Sequence, residues 1–263
     1  MNFVYRGKTA LVTGASSGIG KCFAEELARK GCSLILAARS VDKLEELAAR
    51  LRFEHGVNAA AIPVDLSQSG AAERLWAEVR QKELRVDILI NNAGFGTLSR
   101  FDRIDASRIV QEIQLNIVSL TELTHRFMQP MLLQQSGLVI NVASMTAFQP
   151  TPYMAVYGAT KSYVLSFTEA LWAENQGSGV QFLALCPGET KSSFHQVSGS
   201  DDLKGKRMEP VDVVRAAFQA VDRKRHYRIA GRSNYWTGQL PRLFPRRLIV
   251  HYAARLFQPN GKA

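Results

Sequence analysis

Short apolar segments alternate with amphipathic helical segments along most of this chain of 263 residues. The apolar segments have the length of buried strands and lie at residues 8–13, 33–38, 58–64, 86–90, 137–142, 180–185 and 228–230. Between them, apolar residues recur at helical spacing, as at Leu44, Leu47 and Leu51. This alternation predicts an α/β fold with one doubly wound, mostly or wholly parallel sheet of about seven strands, flanked by helices. No repeat or linker interrupts it, so we expect one domain over residues 1–240.

The first predicted strand runs directly into a glycine-rich turn, TGASSGIG at residues 13–20, and a helical segment follows to residue 30. Glycines let a backbone approach a pyrophosphate closely, and a helix N-terminus offers unpaired N–H groups to it. The segment therefore predicts a Rossmann-type dinucleotide site. Its expected contacts are Gly14, Ser16, Ser17, Gly18, Ile19 and Gly20. The spacing G-x-x-x-G-x-G departs from the general G-x-G-x-x-G pattern, so a turn that only joins strand to helix is the alternative.

Arg39 and Ser40 end the second predicted strand, about twenty residues beyond the glycine turn. In dinucleotide-binding folds this position contacts the adenosine ribose, and an acidic residue there selects NAD. A guanidinium instead suits a 2′-phosphate through charge-assisted hydrogen bonds, and Ser40 would add a hydroxyl donor. These residues predict NADP(H) as the cofactor. The alternative is an ordinary surface arginine.

Asp65 and Leu66 follow the third predicted strand, at the same edge of the predicted sheet as the glycine turn. This position would place them against the adenine ring of a bound dinucleotide. Asp65 would equally cap a helix that begins near Ser69, because aspartate accepts hydrogen bonds from the first free N–H groups of a helix. Both interpretations of Asp65 stay open at this point.

A serine, a tyrosine and a lysine stand just beyond the fifth predicted strand, in SMTAFQPTPYMAVYGATK at residues 144–161. If Tyr157 begins a helix, Lys161 lies on the same face one turn later. A phenol has an ordinary pKa of about 10, and an ammonium about 4 Å away would lower it by up to about three units. Tyr157 would then be suited to general acid–base catalysis near neutral pH. Taken alone, Y-x-x-x-K arises by chance in many helices.

Together these segments resemble the classical short-chain dehydrogenase/reductase family over residues 7–230. The similarity rests on TGASSGIG, on NNAG at residues 91–94, and on Asn116, Ser144, Tyr157, Lys161 and Pro187-Gly188, in that order along the chain. The resemblance implies an NADP(H)-dependent oxidoreductase that interconverts an alcohol and a carbonyl by hydride transfer. No metal site is expected.

The resemblance also implies roles for individual residues. Tyr157 would donate a proton to the carbonyl oxygen in reduction, and Ser144 would hydrogen-bond the same oxygen. Lys161 would lower the pKa of the tyrosine and hold the nicotinamide ribose, and Asn116 would orient a water that relays protons to the lysine. Further cofactor contacts are implied at Asn91, Asn92, Ala93, Gly94, Pro187, Gly188 and Thr190, besides Tyr157 and Lys161 themselves. By residue type alone, an asparagine inside the long helix predicted at residues 107–133 is usually solvated or bonded to a backbone carbonyl.

Two other functions fit parts of the pattern. A Ser–Lys hydrolase needs a serine close to a lysine, but nothing here resembles a nucleophile elbow, and that function leaves the glycine turn unexplained. A catalytically silent NADP(H)-binding regulator or scaffold would keep the fold without turnover. The presence of Ser144, Tyr157 and Lys161 argues against this second function.

Large apolar side chains are expected to face the substrate from loops beyond the strand ends. They are Phe95, Met145, Phe148, Met154 and Phe194. They favour a hydrophobic ketone or aldehyde over a small sugar, with ordinary core packing as the alternative. Residues 189–209, rich in Ser, Gly and Asp, are expected to form a lid over the site, in which His195 would face solvent, with contact to the substrate as the alternative.

The net charge of +10 is concentrated at the C-terminal end of the chain. Ten of the 33 Lys and Arg residues lie beyond Asp222 and no acidic residue does, while the rest of the chain carries 23 basic and 23 acidic residues. Within the extension at residues 241–263, the segment 242–257 has apolar and basic residues on different faces of a predicted helix. This pattern favours contact with anionic lipid or another subunit, with solvated arginines on a packed helix as the alternative. Nucleic acid is not an expected partner.

The three cysteines lie in apolar or helical contexts and are expected to be buried fillers in a reducing compartment. The N-terminal segment lacks the apolar region of a secretory signal, and no window is long and apolar enough for a membrane span. We therefore expect a cytoplasmic protein, with contact to the inner membrane surface through its tail as one possibility. The family resemblance favours a homo-dimer or homo-tetramer.

Overall fold

The computed structural model describes residues 3–200 and 207–258. Residues 201–206 of the predicted lid and residues 259–263 of the predicted C-terminal extension lie outside the described residues. Within the described ranges, none of the helices combines the length and the hydropathy that crossing a membrane requires.

A seven-stranded parallel sheet forms the centre of the fold and confirms the predicted fold class. The strands are β1 Thr9–Thr13, β2 Ser33–Ala38, β3 Ala59–Pro63, β4 Ile88–Asn91, β5 Gly137–Val142, β6 Val180–Cys186 and β7 Tyr227–Ile229. Their order across the sheet is β3-β2-β1-β4-β5-β6-β7, and each neighbouring pair is parallel. The order reverses between β1 and β4, and ligands of doubly wound sheets bind beyond the carboxyl ends of the strands at such a point.

Helices cover both faces of the sheet. In the described part of the chain they are α1 Gly18–Arg29, α2 Val41–His55, α3 Ala71–Gln81, α4 Ala106–Ile113, α5 Leu120–Leu133, α6 Ala155–Glu174, α7 Phe194–Ser198, α8 Pro210–Asp222, α9 Arg232–Leu243 and α10 Arg246–Phe257. The first strand illustrates the two-sided core. Val12 packs in the cluster that contains Phe23 of α1, whereas its neighbour Leu11 packs in the cluster that contains Leu75 of α3 and Phe127 of α5.

Burial on both faces explains why the strands are apolar throughout rather than alternating with polar residues. In β5 all six residues are buried, and in β6 six of the seven are. The three cysteines, Cys22, Cys32 and Cys186, are likewise buried and carry free thiols. Their placement confirms the prediction that they fill core positions.

The long helix predicted at residues 107–133 is interrupted in the structure. Between α4 and α5, Gln114–Ser119 forms a π-helical turn, which inserts one extra residue into the helical repeat. Hydrophobic spacing gave no sign of this turn, because both flanking helices have ordinary amphipathic patterns. The turn contains Asn116, and such turns are frequent at functional sites.

The C-terminal segment forms two helices where one was predicted. Helix α9 spans the proposed boundary at residue 240, and α10 begins at Arg246 rather than near Arg242. The break lies at Phe244, which is extended because the residue before a proline is disfavoured in the helical region. Pro245 then serves as the N-cap of α10.

Two glycines in the turn between α6 and β6 offer a matched test of the packing. Both Gly177 and Gly179 have positive φ, but a Cβ on Gly177 meets no heavy atom within 4 Å, whereas one on Gly179 overlaps the backbone carbonyl of Gln135. Gly177→Ala should cost about 1 kcal/mol for left-handed strain alone. Gly179→Ala should cost a further 1 kcal/mol or more, roughly, because the loop before β5 must shift. Urea unfolding would measure this, and equal losses in the two variants would contradict it.

Candidate active site

One cavity of about 340 Å³ lies beyond the carboxyl ends of the strands. Of the residues predicted as catalytic or cofactor-binding, it is lined by Gly14, Ser16, Ser17, Gly18, Ile19, Arg39, Ser40, Asp65, Leu66, Asn92, Ala93, Gly94, Ser144, Tyr157, Lys161, Pro187, Gly188 and Thr190. Three predicted residues, Gly20, Asn91 and Asn116, do not line it. Segments far apart in sequence thus meet here because parallel strands end at one edge of the sheet.

Positive φ values, close packing and hydrogen bonds to the segment after β4 fix the shape of the glycine turn. Gly14 and Gly18 have positive φ values of 65° and 55°. Gly20 permits close packing inside the turn, because a Cβ there would overlap the carbonyl of Gly14. The hydroxyl of Thr13 accepts hydrogen bonds from the N–H groups of Asn92 and Ala93, both at 3.0 Å. Thr13, which the sequence reasoning did not assign, therefore fixes the turn to the segment after β4.

Asn91 does not line the cavity, contrary to its implied role. Its side chain turns into the sheet, where Nδ2 donates to Thr124 Oγ1 and Asn141 Oδ1, both at 2.9 Å. The side chains of neighbouring strand residues point to opposite faces, so Asn91 and Asn92 cannot both face the ligand edge. Asn91 is a buried link between β4, β5 and α5.

Arg39 is exposed at the rim of the cavity, and Asp65 lies on the same rim. Burial raises the pKa of Asp65, but hydrogen bonds from Ser67 and the charge of Arg39 outweigh this and lower the pKa below its usual value. The carboxylate accepts from the N–H of Ser67 at 3.0 Å and from its hydroxyl at 2.7 Å. Helix α3 begins at Ala71 with Gly70 as its N-cap, so the alternative that Asp65 caps this helix is wrong.

Ser144, Tyr157 and Lys161 come together at the inner end of the cavity. Ser144 follows β5, while Tyr157 and Lys161 stand in the first two turns of α6, and all three are buried. The ammonium of Lys161 donates to the carbonyl of Val142 at 2.8 Å and lies 5.7 Å from the centre of the Tyr157 ring. The predicted spacing on one helix face is therefore present. The ring of Phe194 packs against the ring of Tyr157, with the two ring centroids 5.2 Å apart.

The pKa of Tyr157 is shifted in the direction opposite to the one predicted. Burial raises the pKa of this phenol well above 10, and a hydrogen bond with Ser144 offsets only part of that shift. Burial also lowers the pKa of Lys161 to about 8. The attraction between the two side chains favours their charged forms, whereas the removal of both from water disfavours those forms. In this structure desolvation is the larger effect on each.

Asn116 is fully buried in the π-helical turn, so of the two usual states of a mid-helix asparagine it is not solvated but bonded to a backbone carbonyl. Its Nδ2 donates to the carbonyl of Phe95 at 2.8 Å and to Thr160 Oγ1 at 3.1 Å, and its Oδ1 accepts from the N–H of Phe95 at 3.2 Å. A Cβ on Gly94 would lie 3.0 Å from Asn116 Oδ1 and 3.3 Å from Lys161 Nζ. The asparagine and the lysine therefore approach the same point, which a glycine leaves free.

The described part of the predicted lid packs on the site. His195 is buried rather than solvent-facing, because its ring nitrogens pair with Ser200 Oγ at 3.0 Å and with the carbonyl of Thr190 at 3.1 Å. Ser193 Oγ lies 2.9 Å from Ser17 Oγ in the glycine turn. Together with the packing of Phe194 on Tyr157, the contact of Ser193 with Ser17 connects the segment around α7 to both ends of the cavity.

The apolar end of the cavity contains four of the five predicted substrate-facing residues, namely Phe95, Met145, Met154 and Phe194. Phe148 is the exception. It packs beside Tyr227 with ring centroids 6.2 Å apart and lines a separate depression. Phe257, at the end of α10, also lines the cavity, a position that no motif or spacing predicted. Only the tertiary packing of α10 brings this residue to the site.

The family model for short chain dehydrogenases matches residues 8–203. The chain belongs to the short-chain dehydrogenase/reductase family. A 7β-hydroxysteroid dehydrogenase of Clostridium sardiniense is 30% identical over 237 residues, which span 89% of this chain and 90% of that relative.

Two solved structures are also similar. A short-chain dehydrogenase from Sphingobium yanoikuyae in complex with NADPH is 35% identical, with a TM-score of 0.81 and coverage of 90% of this chain and 94% of that one. The bulky-bulky ketone specific alcohol dehydrogenase from Comamonas testosteroni is 31% identical, with a TM-score of 0.77 and coverage of 90% and 92%. This short-chain dehydrogenase/reductase is therefore an oxidoreductase of a family whose solved members bind nicotinamide cofactors.

The residues present fit such a cofactor. Ser17 is the N-cap of α1 but makes no capping hydrogen bond, so the first N–H groups of the helix remain available to an anion. Gly18 and Ile19 line the cavity beside them, with serine hydroxyls at positions 16 and 17. At the opposite end, the buried ammonium of Lys161 suits hydroxyl groups as acceptors. The donor set thus matches a phosphate at one end and a ribose at the other.

Glu112 is a buried carboxyl near the site that the sequence reasoning missed. Its Oε2 accepts from the hydroxyl of Thr97 at 2.8 Å, and its Oε1 has no hydrogen-bond partner among the described residues. Burial raises its pKa from 4.5 to about 7, although the Thr97 hydrogen bond and the charges of Arg108 and Lys161 act in the opposite direction. The helical spacing of α4 predicts which face of the helix Glu112 occupies. It does not predict that this glutamate is buried.

The raised pKa of Glu112 predicts a pH-dependent stability. Between pH 4.5 and about 7 the unfolded chain ionises at this residue before the folded protein does, so stability falls as the pH rises through that window, by up to about 3 kcal/mol. Glu112→Gln should remove this component and be the more stable protein at pH 8. Denaturant unfolding at several pH values would test this, with the exposed Glu45→Gln as control. Parallel stability curves for wild type and Glu112→Gln would contradict it.

Proposed function

We propose that this protein is an NADP(H)-dependent oxidoreductase that interconverts a lipophilic ketone or aldehyde and the corresponding alcohol. The observation that carries the proposal is the convergence of buried Ser144, Tyr157 and Lys161 at one end of a cavity whose other end is the glycine turn. A cavity of this form accommodates an extended dinucleotide with its reactive end beside the tyrosine. Family membership supports the reaction class.

The proposed roles follow from the contacts of each side chain. The nicotinamide supplies or accepts the hydride when it is bound. The hydroxyl of Tyr157 donates a proton to the carbonyl oxygen in reduction and accepts one in oxidation, and Ser144 holds that oxygen. Lys161 offers its ammonium to the ribose hydroxyls, and by its charge favours the ionised phenol. Asn116, fixed by Phe95 and Thr160, orients a water beside Lys161 for proton exchange.

The preference for NADP(H) is supported by the rim of the cavity at the end of β2. Arg39 is exposed there, and Ser40 stands beside it. Asp65 is the acidic residue of this rim, and its carboxylate already accepts two hydrogen bonds from Ser67. A 2′-phosphate would therefore meet a guanidinium and a hydroxyl.

The lipophilic substrate is supported by the side chains around Tyr157. Phe95, Met145, Met154, Phe194 and Phe257 supply apolar surface from four separate segments. A small polar carbonyl would leave this surface uncovered, whereas a large apolar one would bury it at about 25 cal/mol per Å². The names of the relatives, a hydroxysteroid dehydrogenase and a bulky-bulky ketone specific enzyme, point to the same substrate class.

Peripheral contact with an anionic membrane through the C-terminal helices is part of the proposal. It is supported by the ten basic and no acidic residues that follow Asp222. The expected cytoplasmic location and the homo-dimer or homo-tetramer stay predictions of the sequence and of the family.

Tyr157→Phe should reduce turnover of a panel of ketones and aldehydes by about 10²–10⁴-fold, the usual contribution of general acid catalysis. NADPH binding, followed by the fluorescence of the nicotinamide, should persist because the ring and its packing against Phe194 are retained. Tyr163→Phe, on the same helix with its hydroxyl 2.9 Å from Thr121, is the matched control and should stay active. An active Tyr157→Phe variant would refute the assignment of the acid.

The same panel separates the enzyme from a catalytically silent NADP(H)-binding regulator. Oxidation of NADPH by wild type with any lipophilic carbonyl favours the enzyme. Binding of NADPH without turnover of any member would favour the regulator. Turnover of small polar carbonyls alone would leave the oxidoreductase in place but remove the lipophilic substrate.

Arg39→Gln should lower kcat/KM for NADPH by about 10- to 100-fold, since hydrogen bonds to charged groups contribute about 1.5–3 kcal/mol. The value for NADH should change little, because NADH lacks the 2′-phosphate. Lys43→Gln, exposed on α2 and outside the cavity lining, is the control and should leave both cofactors unaffected. A parallel loss for both cofactors in Arg39→Gln would argue against 2′-phosphate recognition.

A further inference from the structure

Helices α9 and α10, with Phe244 between them, expose eight large apolar side chains to solvent. We define this docking surface as Tyr235, Trp236, Leu240, Leu243, Phe244, Leu248, Tyr252 and Leu256, each between 42 and 74% exposed. Trp236, Leu240 and Leu243 recur at helical spacing on α9, and the last three residues of the set do so on α10. Elsewhere in the described chain such residues form smaller groups, such as Val110 and Ile113 on α4 with Val118 just beyond it, or stand singly, which needs no explanation.

The buried residue of each helix is a small one, whereas an amphipathic surface helix usually buries its large apolar residues. On α9 the buried residue is Gly238, where a Cβ would lie 2.8 Å from Ile229 Cδ1, and on α10 it is Ala253. Ile249, Val250 and Phe257 of α10 are half-buried on the same face as Ala253, while the residues of the docking surface stay exposed. The outward face therefore needs an apolar partner.

Charge identifies that partner as an anionic surface. Both helices lack acidic residues, and their arginines are exposed, namely Arg232, Arg242, Arg246, Arg247 and Arg255. A bilayer with anionic headgroups offers acyl chains to the leucines and aromatic rings and phosphates to the guanidinium groups. Each basic residue near such a surface strengthens the attraction to it.

A second copy of this chain is a poorer partner. Two-fold association through the docking surface would place the arginines of both copies in one interface. Because α9 and α10 supply no carboxylate to pair with them, these charges would repel or be buried unpaired. Lipid headgroup phosphates would pair with the arginines and so remove the repulsion between these charges.

The docking surface also borders the cavity. Phe257 ends α10 and lines the cavity, and Gly238 of α9 lies beside Met145, another lining residue. We propose that α9 and α10 dock on an anionic bilayer and that the carbonyl substrate enters the cavity from that bilayer. The second part rests on the proposed function, since it requires a lipophilic substrate.

The docking step is tested by flotation of the full-length protein with vesicles. Wild type should bind vesicles of phosphatidylcholine with phosphatidylserine, should not bind phosphatidylcholine alone, and should be released by high salt. The triple variant Leu248→Ser/Tyr252→Ser/Leu256→Ser should bind at least about tenfold more weakly, as expected for removing three inserted apolar side chains. The matched control Phe53→Ser/Leu133→Ser replaces exposed apolar residues elsewhere and should bind like wild type. Equal binding by wild type and the triple variant would overturn the docking surface. So would a wild-type dimer in sedimentation velocity that the triple variant loses.

The delivery step is tested by kinetics with two ketones, one long-chain and dissolved in the anionic vesicles, the other short-chain and water-soluble. The turnover rate of the vesicle-dissolved ketone, divided by that of the water-soluble ketone, should fall at least about fivefold in the triple variant. It should not fall in the control variant. The expected change is specific because weaker docking leaves the cavity itself unchanged. An unchanged ratio, despite weakened vesicle binding, would overturn delivery from the bilayer. Absence of turnover with both ketones would instead count against the proposed function, while flotation would still report on docking.

Discussion

The removal of Lys161 from water is the constraint on which the rest of the candidate site depends. Its ammonium donates to the carbonyl of Val142, and burial lowers its pKa to about 8. A buried ammonium with so few acceptors favours any ligand that brings hydroxyl groups beside it. The same burial raises the pKa of Tyr157, which keeps its proton in place for donation. Desolvation is therefore the largest single effect on the pKa of both groups.

The position of Lys161 depends on backbone features that lie outside the Ser–Tyr–Lys segment. The carbonyl oxygen that accepts the hydrogen bond from Lys161 belongs to Val142 at the end of β5. The register of this strand in the sheet therefore fixes the position of the ammonium group. Asn116 reaches the same point only because the π-helical turn inserts an extra residue between α4 and α5. Gly94 leaves the space between them open. The groups around the ammonium of Lys161 are thus positioned by the end of β5, by the π-helical turn and by Gly94.

Features that depend on local backbone geometry could be predicted from the sequence, whereas features that depend on tertiary packing could not. The glycine turn and the Tyr157–Lys161 pair were predicted because each depends on backbone geometry within a few residues, and the sheet was predicted because apolar runs alternate with helices. The shifted pKa of Tyr157, the burial of His195 and the inward turn of Asn91 were missed, since each depends on what packs against the side chain. Glu112 was missed for the same reason: nothing in the spacing of α4 distinguishes a buried glutamate from a solvated one.

The C-terminal helices illustrate the converse case. Apolar and basic residues at helical spacing were visible in the sequence, but spacing does not tell whether an apolar stripe faces a core or solvent. The structure resolves this through the small residues, because Gly238 and Ala253 are the positions that α9 and α10 bury. On α9 the larger apolar side chains therefore lie on the exposed side, and on α10 Leu248, Tyr252 and Leu256 lie outside the face that holds Ala253 and Phe257. Here they lie next to the end of the cavity that Phe257 lines, so the most apolar exposed surface and the most apolar part of the cavity adjoin.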